Sequence, residues 1–185
     1  MMSRDFAEML SALFGAGAEF LLVGAHALAA HGIPRATQDI DLIVDPTQDQ
    51  LVALVRALPP GEYYVDETAA LEALEHRSQF NVVDMDSGWK IDLICRKARP
   101  FSETEFARRI PVLFNAIPVN VVTIEDLILA KLEWAAMGES RRQLEDVAAL
   151  LRVRGSDLDQ SYLTHWIGQL GLESQWRLAA AAGGI

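Results

Sequence analysis

Apolar residues along this chain fall into two textures. Up to about residue 122 they come in short runs broken by polar turns, and from 123 onward they recur at helical spacing. The first part predicts a helix over 4–14, a strand over 19–23, a short helix over 26–31 and a strand over 39–44. Pro46-Thr47 opens a helix over 48–58, with Asp49 in its first turn, and Pro59-Pro60-Gly61 ends it. A short helix over 68–74 follows, then strands over 79–85 and 90–95 joined by the turn Asp86-Ser87-Gly88, and one more strand over 119–122. Thr123 and Asp126 form a Thr-x-x-Asp variant of the capping box ahead of a helix to 138, and two more helices are expected over 140–152 and 157–170. The Ala/Gly tail over 179–184 is expected to fray. The pattern predicts an α/β (α+β) chain, with a mixed sheet flanked by helices over 1–122 and a small helical region over 123–185 packed on it.

Composition narrows the class. A chain of 185 residues, 51% hydrophobic and 23% charged, can bury one sizeable core. The stretch over 12–30 is apolar enough to raise a membrane span, but Glu19 and His26 interrupt it and Gly15, Gly17 and Gly24 break it, so no membrane partner is expected. A formal charge of −10 argues against nonspecific nucleic-acid binding driven by the field of the whole molecule. Local basic clusters remain, at Arg96, Lys97 and Arg99, at Arg108 and Arg109, and at Arg141, Arg142, Arg152 and Arg154; each reads as a solvated face or a contact site. Cys95 is the only cysteine, so no intramolecular disulfide can form and a reducing cytoplasm is the expected compartment. The start MMSRDFAEML has an acid beside its arginine and lacks the apolar core of a secretory signal. His26 and His31 stand five apart, about 140° around a helix, and so do not make the zinc pair of one helix face. Trp89, Trp134, Trp166 and Trp176 are expected to pack in the interior.

Three aspartates carry the candidate chemistry. On the strand over 39–44, Asp39 and Asp41 share one face, about 7 Å apart, while Ile40 and Leu42 face the other way. Two carboxylates held about 4 Å apart repel by up to about 4 kcal/mol at an effective dielectric of about 20, so a fold that gathers them usually places a cation between them. Asp92 interrupts a second apolar strand and shares a face with Lys90 and Ile94. If the two strands are neighbours, the three acids can hold two magnesium ions, which suits in-line displacement at phosphorus. Asp39 and Asp41 then hold the metal that accompanies a nucleotide, and Asp92 helps hold the second and activates the attacking hydroxyl.

Gly24, then Gly32, Arg35, Thr37 and Asp39-Ile40-Asp41-Leu42, with Asp92 on a later strand, resemble the DNA polymerase β-like nucleotidyltransferase superfamily over about residues 20–95. Lys131 in EDLILAKLEWA and Asp146 in RRQLEDVAALL are similar to the lysine and aspartate motifs of its minimal and abortive-infection branches, found in bacterial toxin–antitoxin pairs. The resemblance implies a nucleotidyltransferase-like sheet and a metal-dependent enzyme, using Mg²⁺ or Mn²⁺ on Asp39, Asp41 and Asp92. Such an enzyme transfers a nucleoside monophosphate from a nucleoside triphosphate to a hydroxyl acceptor. It implies a phosphate-binding turn at Gly24-Ala25, a lysine near the triphosphate in Lys131 and a second acid or base in Asp146. Arg35 and Thr37 either contact phosphate or shape the loop before the strand. By helical spacing alone, Lys131 could equally be a surface residue. The family usually has Gly-Ser or Gly-Gly where this chain has Gly24-Ala25, so a serine hydroxyl contact is lost. The expected acceptor is RNA, tRNA in particular, or a partner protein in a toxin–antitoxin or phage-defence setting. Two other readings stay open: a small-molecule acceptor of the aminoglycoside type, and a catalytically silent module that binds a nucleotide or a partner.

Overall fold

The computed structural model describes residues 10–11, 15–114, 117–138 and 140–184. The helix expected over 4–14 falls outside the described residues except at 10 and 11. Seven strands form one mixed sheet: β1 (Phe20–Leu22), β2 (Asp39–Val44), β3 (Tyr63–Tyr64), β4 (Gln79–Asp84), β5 (Lys90–Cys95), β6 (Ile110–Phe114) and β7 (Ile117–Val121), in the order β3-β4-β5-β2-β1-β7-β6. β2 runs parallel to β5, and β1 parallel to β7; the other neighbours are antiparallel. Helices α1 (Gly24–Ala30), α2 (Gln48–Ala57), α3 (Glu67–Glu75) and α4 (Pro100–Ala107) punctuate the sheet. After it come α5 (Ile124–Gly138), α6 (Arg141–Arg154), α7 (Gln160–Leu170) and α8 (Glu173–Gly183).

The central strands show why the sheet forms where it does. Ile40, Leu42 and Val44 on β2, and Ile91, Leu93 and Cys95 on β5, are buried at alternate positions, which fixes the face each strand turns to the interior. A slip of one residue would bury Asp41 and Asp92 and expose that set. The observed register places Asp41 opposite Asp92 and Asp39 opposite Lys90. One apolar cluster joins Leu22, Leu28, Leu42 and Leu93 to Ile128, Leu132, Leu150 and Leu163, so the sheet and the later helices share a core.

α5 lies at the centre of the later helices and packs against α1, α6, α7 and α8. Burial on several sides forces its polar residues to find partners. Asp126 is fully buried and accepts from the Thr123 hydroxyl at 2.6 Å, from Arg108 Nε at 3.1 Å and from the Tyr162 hydroxyl. Arg108 also lies 3.8 Å from the Tyr162 ring centroid and reaches Glu125 Oε2 at 3.3 Å. Glu125 Oε1 in turn accepts the Asp159 amide at 3.1 Å, just ahead of α7. The chain after α4, the start of α5 and α7 are thus tied through one carboxylate pair. His31 makes a similar tie from the end of α1, donating from Nε2 to the Val122 carbonyl at 2.8 Å.

Several elements differ from the sequence expectation. α4 buries Phe101, Ser102, Glu105 and Phe106. Its inner face mixes aromatic with polar residues, so no apolar stripe announces it. β6 carries Pro111, which removes a ladder donor, and it lies on the sheet edge where that loss is tolerated. The tail over 179–184, expected to fray, lies largely within α8: Ala179 is fully buried, and a Cβ on Gly183 would come 3.4 Å from the Ala148 carbonyl. Alanine is the strongest helix former, and its small side chain lets α8 approach α6 closely. Trp134 is 50% exposed instead of packed in the interior.

The turn from β1 into α1 has no room for a side chain. Gly24 adopts φ +64°, and a Cβ built there would lie 1.9 Å from Asp41 Oδ2. Gly24→Ala is expected to cost about 1–2 kcal/mol of backbone strain beyond the displacement of Asp41, read as a lower urea midpoint. Asp126→Ala leaves Arg108 and two hydroxyls without their acceptor, and is expected to lower stability by about 3–5 kcal/mol in the same measurement.

Candidate active site

The parallel pairing of β2 and β5 sets the geometry. Asp41 and Asp92 are register partners on adjacent strands, about 4.8 Å apart across the ladder, and both are half-buried on the face opposite the apolar core positions. Burial raises the Asp41 carboxyl above the ordinary carboxylate range, and the charges of Asp92 and Asp39 add to that shift, while Lys131 and Lys90 oppose it. Lys90 Nζ stands 3.0 Å from Asp92 Oδ2; this hydrogen bond holds the ammonium above its usual range. The other oxygen, Asp92 Oδ1, is buried without a hydrogen-bond partner. Asp39 lies two residues earlier on β2 and is exposed at the rim, opposite Lys90. Among the described residues, no three acidic, imidazole or thiol side chains are already gathered as a cation cage. The donors nearest to that role are all carboxylate oxygens, which suit a hard divalent cation such as Mg²⁺ or Mn²⁺, and the orphaned Asp92 oxygen is an open ligand position.

Three residues singled out along the sequence meet in one network. Lys131 is 5% exposed and donates to Asp146 Oδ2 at 2.7 Å and to Gln143 Oε1 at 3.0 Å. Arg35, in the loop before β2, reaches the same Asp146 oxygen at 2.6 Å. Asp146 is itself buried on α6, so it positions one cation from α5 and one from the loop. Lys131 is therefore no surface lysine. Thr37 turns to its own chain, accepting the Asp39 amide at 3.1 Å and so fixing the entry to β2. The Ala25 side chain is buried behind the turn.

A cleft of about 580 Å³ runs over this face of the sheet beneath α5. Gly24, Asp41, Asp92, Lys131 and Gln143 line one end, whereas Asp39, Ala25, Arg35, Thr37 and Asp146 stand outside its lining. The floor continues over Ile43 and Ile94 towards α4, where Arg96, Arg99, Glu105, Glu133 and Trp134 form the other end. Arg96 is held on Asp45 at 2.7 Å, a residue that Arg77 also reaches at 3.1 Å. Arg99 makes a two-pronged pair with Glu133, both contacts at 2.6 Å. Glu105 is 4% exposed, and its Oε1 has no hydrogen-bond partner. Burial, with Asp126 and Glu133 adding, pushes its carboxyl up to about 8, so at neutral pH it carries its proton. The sequence analysis did not single out Glu105. The available signal is an acid flanked by Phe101 and Phe106 on a short helical segment, which local spacing alone reads as surface.

A family profile for the nucleotidyl transferase AbiEii toxin of type IV toxin–antitoxin systems matches residues 8–174. No curated protein sequence matches the chain. Among solved structures it is similar to an antigenic nucleotidyltransferase-like protein from Paracoccidioides brasiliensis, at 16% identity over 98% of this chain and 94% of that one, with a TM-score of 0.56. Protein TM1012 from Thermotoga maritima matches at 12% identity over 75% of this chain and 90% of that one, with a TM-score of 0.48. The antibiotic-resistance factor ANT(2'')-Ia matches at 15% identity over 95% and 88%, with a TM-score of 0.43. At these identities the Paracoccidioides structure shows a shared fold. Because the family profile spans the sheet, the cleft and the helices that carry Lys131 and Asp146, the chain belongs to the AbiEii nucleotidyl transferase toxin family of type IV toxin–antitoxin systems.

Proposed function

We propose that the chain transfers a nucleoside monophosphate from a nucleoside triphosphate to a hydroxyl acceptor and releases pyrophosphate, with Asp39, Asp41 and Asp92 holding Mg²⁺ or Mn²⁺. One observation carries the reading: Asp41 and Asp92 are strand-register partners in a cleft whose same end is lined by Lys131. Two desolvated like charges side by side are costly in a resting fold, and they are useful where a cation and a phosphate bind between them. A divalent cation held by Asp39, Asp41 and Asp92 would supply charge neutralisation at the phosphate oxygens.

The residues divide the remaining work. Gly24 leaves the backbone open to a phosphate beside Asp41, and Lys131 places a cation at the triphosphate. Asp146 positions both Lys131 and Arg35, and Thr37 fixes the strand entry that aims Asp39. Asp92 takes the proton of the acceptor hydroxyl; the new oxygen–phosphorus bond forms as the bond to pyrophosphate breaks on the opposite side. Ala25 supplies no hydroxyl, so phosphate contacts fall on backbone amides and cations. Membership of a toxin family favours RNA, with tRNA as the first candidate, or a partner protein as acceptor. No described helix is long and apolar enough to cross a membrane.

Label transfer from α-phosphate-labelled nucleoside triphosphates to total tRNA, and to the protein itself, tests this reading with Mg²⁺ present and after chelation. Asp41→Asn and Asp92→Asn are each expected to lower transfer by about 10²-fold or more while melting as cooperatively as the parent. Equal rates in folded variants would refute the mechanism, and tight metal-dependent nucleotide binding without any turnover would instead identify a silent module. Lys131→Met is expected to raise KM for the nucleoside triphosphate by about tenfold with a smaller change in KM for the acceptor.

A further inference from the structure

Two lysines stand near the aspartate pair, and they are held in different ways. Lys131 is buried and fixed by Asp146 and Gln143. The Lys90 side chain is 39% exposed, and its ammonium makes an ion pair with Asp92 Oδ2 at 3.0 Å. Its backbone is fixed at the start of β5, where it is the register partner of Asp39 on β2 and of Val83 on β4 and donates its amide to the Gln38 carbonyl at 3.3 Å. An ammonium on a flexible four-carbon stem can swing from such a position into water without opening the core.

Lys90 supplies a charge that the sheet face lacks. Asp92 faces Asp41 on β2 and the neutral Asn81 on β4, so neither strand neighbour offers it a positive charge. The ammonium takes one Asp92 oxygen, and the other is buried without a hydrogen-bond partner. A divalent cation on the same carboxylates draws on those oxygens and repels an ammonium beside them. Two ligands of one site that repel each other weaken each other by the same factor, whichever binds first.

We propose that Lys90 is a tethered counter-ion: in the free protein it pairs with Asp92 in place of a divalent cation, and the cation competes with it. Lys90 is thus a positioning residue that holds the acid pair together before the metal arrives and lowers the affinity of the free protein for free metal. Lys131, locked in its own network, cannot move in this way. The proposal rests on the reading that Asp39, Asp41 and Asp92 hold the metal of nucleotidyl transfer.

The test is Mn²⁺ binding to the full chain without nucleotide, read from the loss of the free-ion electron paramagnetic resonance signal, so that it needs no turnover. Lys90→Met and Lys90→Gln remove the charge, and each is expected to bind Mn²⁺ about tenfold more tightly than wild type. Lys90→Arg keeps the charge and is expected to stay within about twofold of wild type. Asp41→Asn is expected to abolish binding in either background. In thermal melts without metal, Lys90→Met is expected to unfold at a lower temperature than wild type, because the acid pair has lost its counter-ion, and added Mn²⁺ is expected to raise its midpoint by more. A lysine with a merely structural role would lower the metal-free midpoint without any gain in metal affinity. Mn²⁺ affinity unchanged or weaker in Lys90→Met and Lys90→Gln, or as tight in Lys90→Arg as in Lys90→Met, would overturn the proposal; binding that is still lost in Asp41→Asn would leave the carboxylate site standing. Mn²⁺ binding that survives in folded Asp41→Asn, or is absent from every variant, would refute the carboxylate metal site itself and the proposal with it.

Discussion

The parallel pairing of β2 with β5 is the constraint on which the rest of the structure turns. It is fixed by apolar burial: Ile40, Leu42 and Val44 face the same interior as Ile91, Leu93 and Cys95. With that face settled, the period of two along each strand forces Asp41 and Asp92 together on the opposite face. Two carboxylates one strand spacing apart are a liability in a resting fold. The surroundings answer it with Lys90 on Asp92, with Lys131 on the helix above, and with a glycine at the one position where a side chain would strike Asp41.

α5 is the second organising element, because a helix buried on several sides cannot leave polar groups unpaired. Its charged residues point to different partners. Asp126 joins the chain after α4 to α7, Lys131 closes on Asp146 of α6, and Glu133 holds Arg99 ahead of α4. The roof of the cleft is thus tied to three neighbours through buried or half-buried charge pairs. Breaking such a pair costs far more than its presence contributes, so these contacts serve geometry more than net stability.

The two ends of the cleft differ in how their polar groups are used. At the aspartate end every cation has an acidic neighbour, and Asp92 keeps one oxygen free. Around α4, Arg96 pairs with Asp45 and Arg99 with Glu133, while Arg96 Nη1 and Glu105 Oε1 are buried without hydrogen-bond partners.

Legibility followed the range of the interaction. The alternation that puts Asp39 with Asp41, and Asp92 with Lys90, is a property of a few consecutive residues, and so the strands and their polar face could be read directly from the chain. Thr123 with Asp126 and Thr47 with Gln50 mark helix starts by contacts within one turn, and these too were local. Lys131 and Asp146 were visible only through resemblance to a family, since 15 residues and a helix connection separate them. Arg35 meets Asp146 across 111 positions, and no spacing announces such a pair. α4 and β6 escaped because burial of Ser102 and Glu105, and Pro111 on an edge strand, break the periodic pattern that local reading depends on. By itself the sequence determined which residues lie on the chemical face of each strand, because side-chain direction alternates with the backbone. Only the tertiary structure decided that Asp41 would face Asp92, that Lys131 would be buried and paired, and that Glu105 would lose its water, because strand order and helix packing are set by the burial of the whole core.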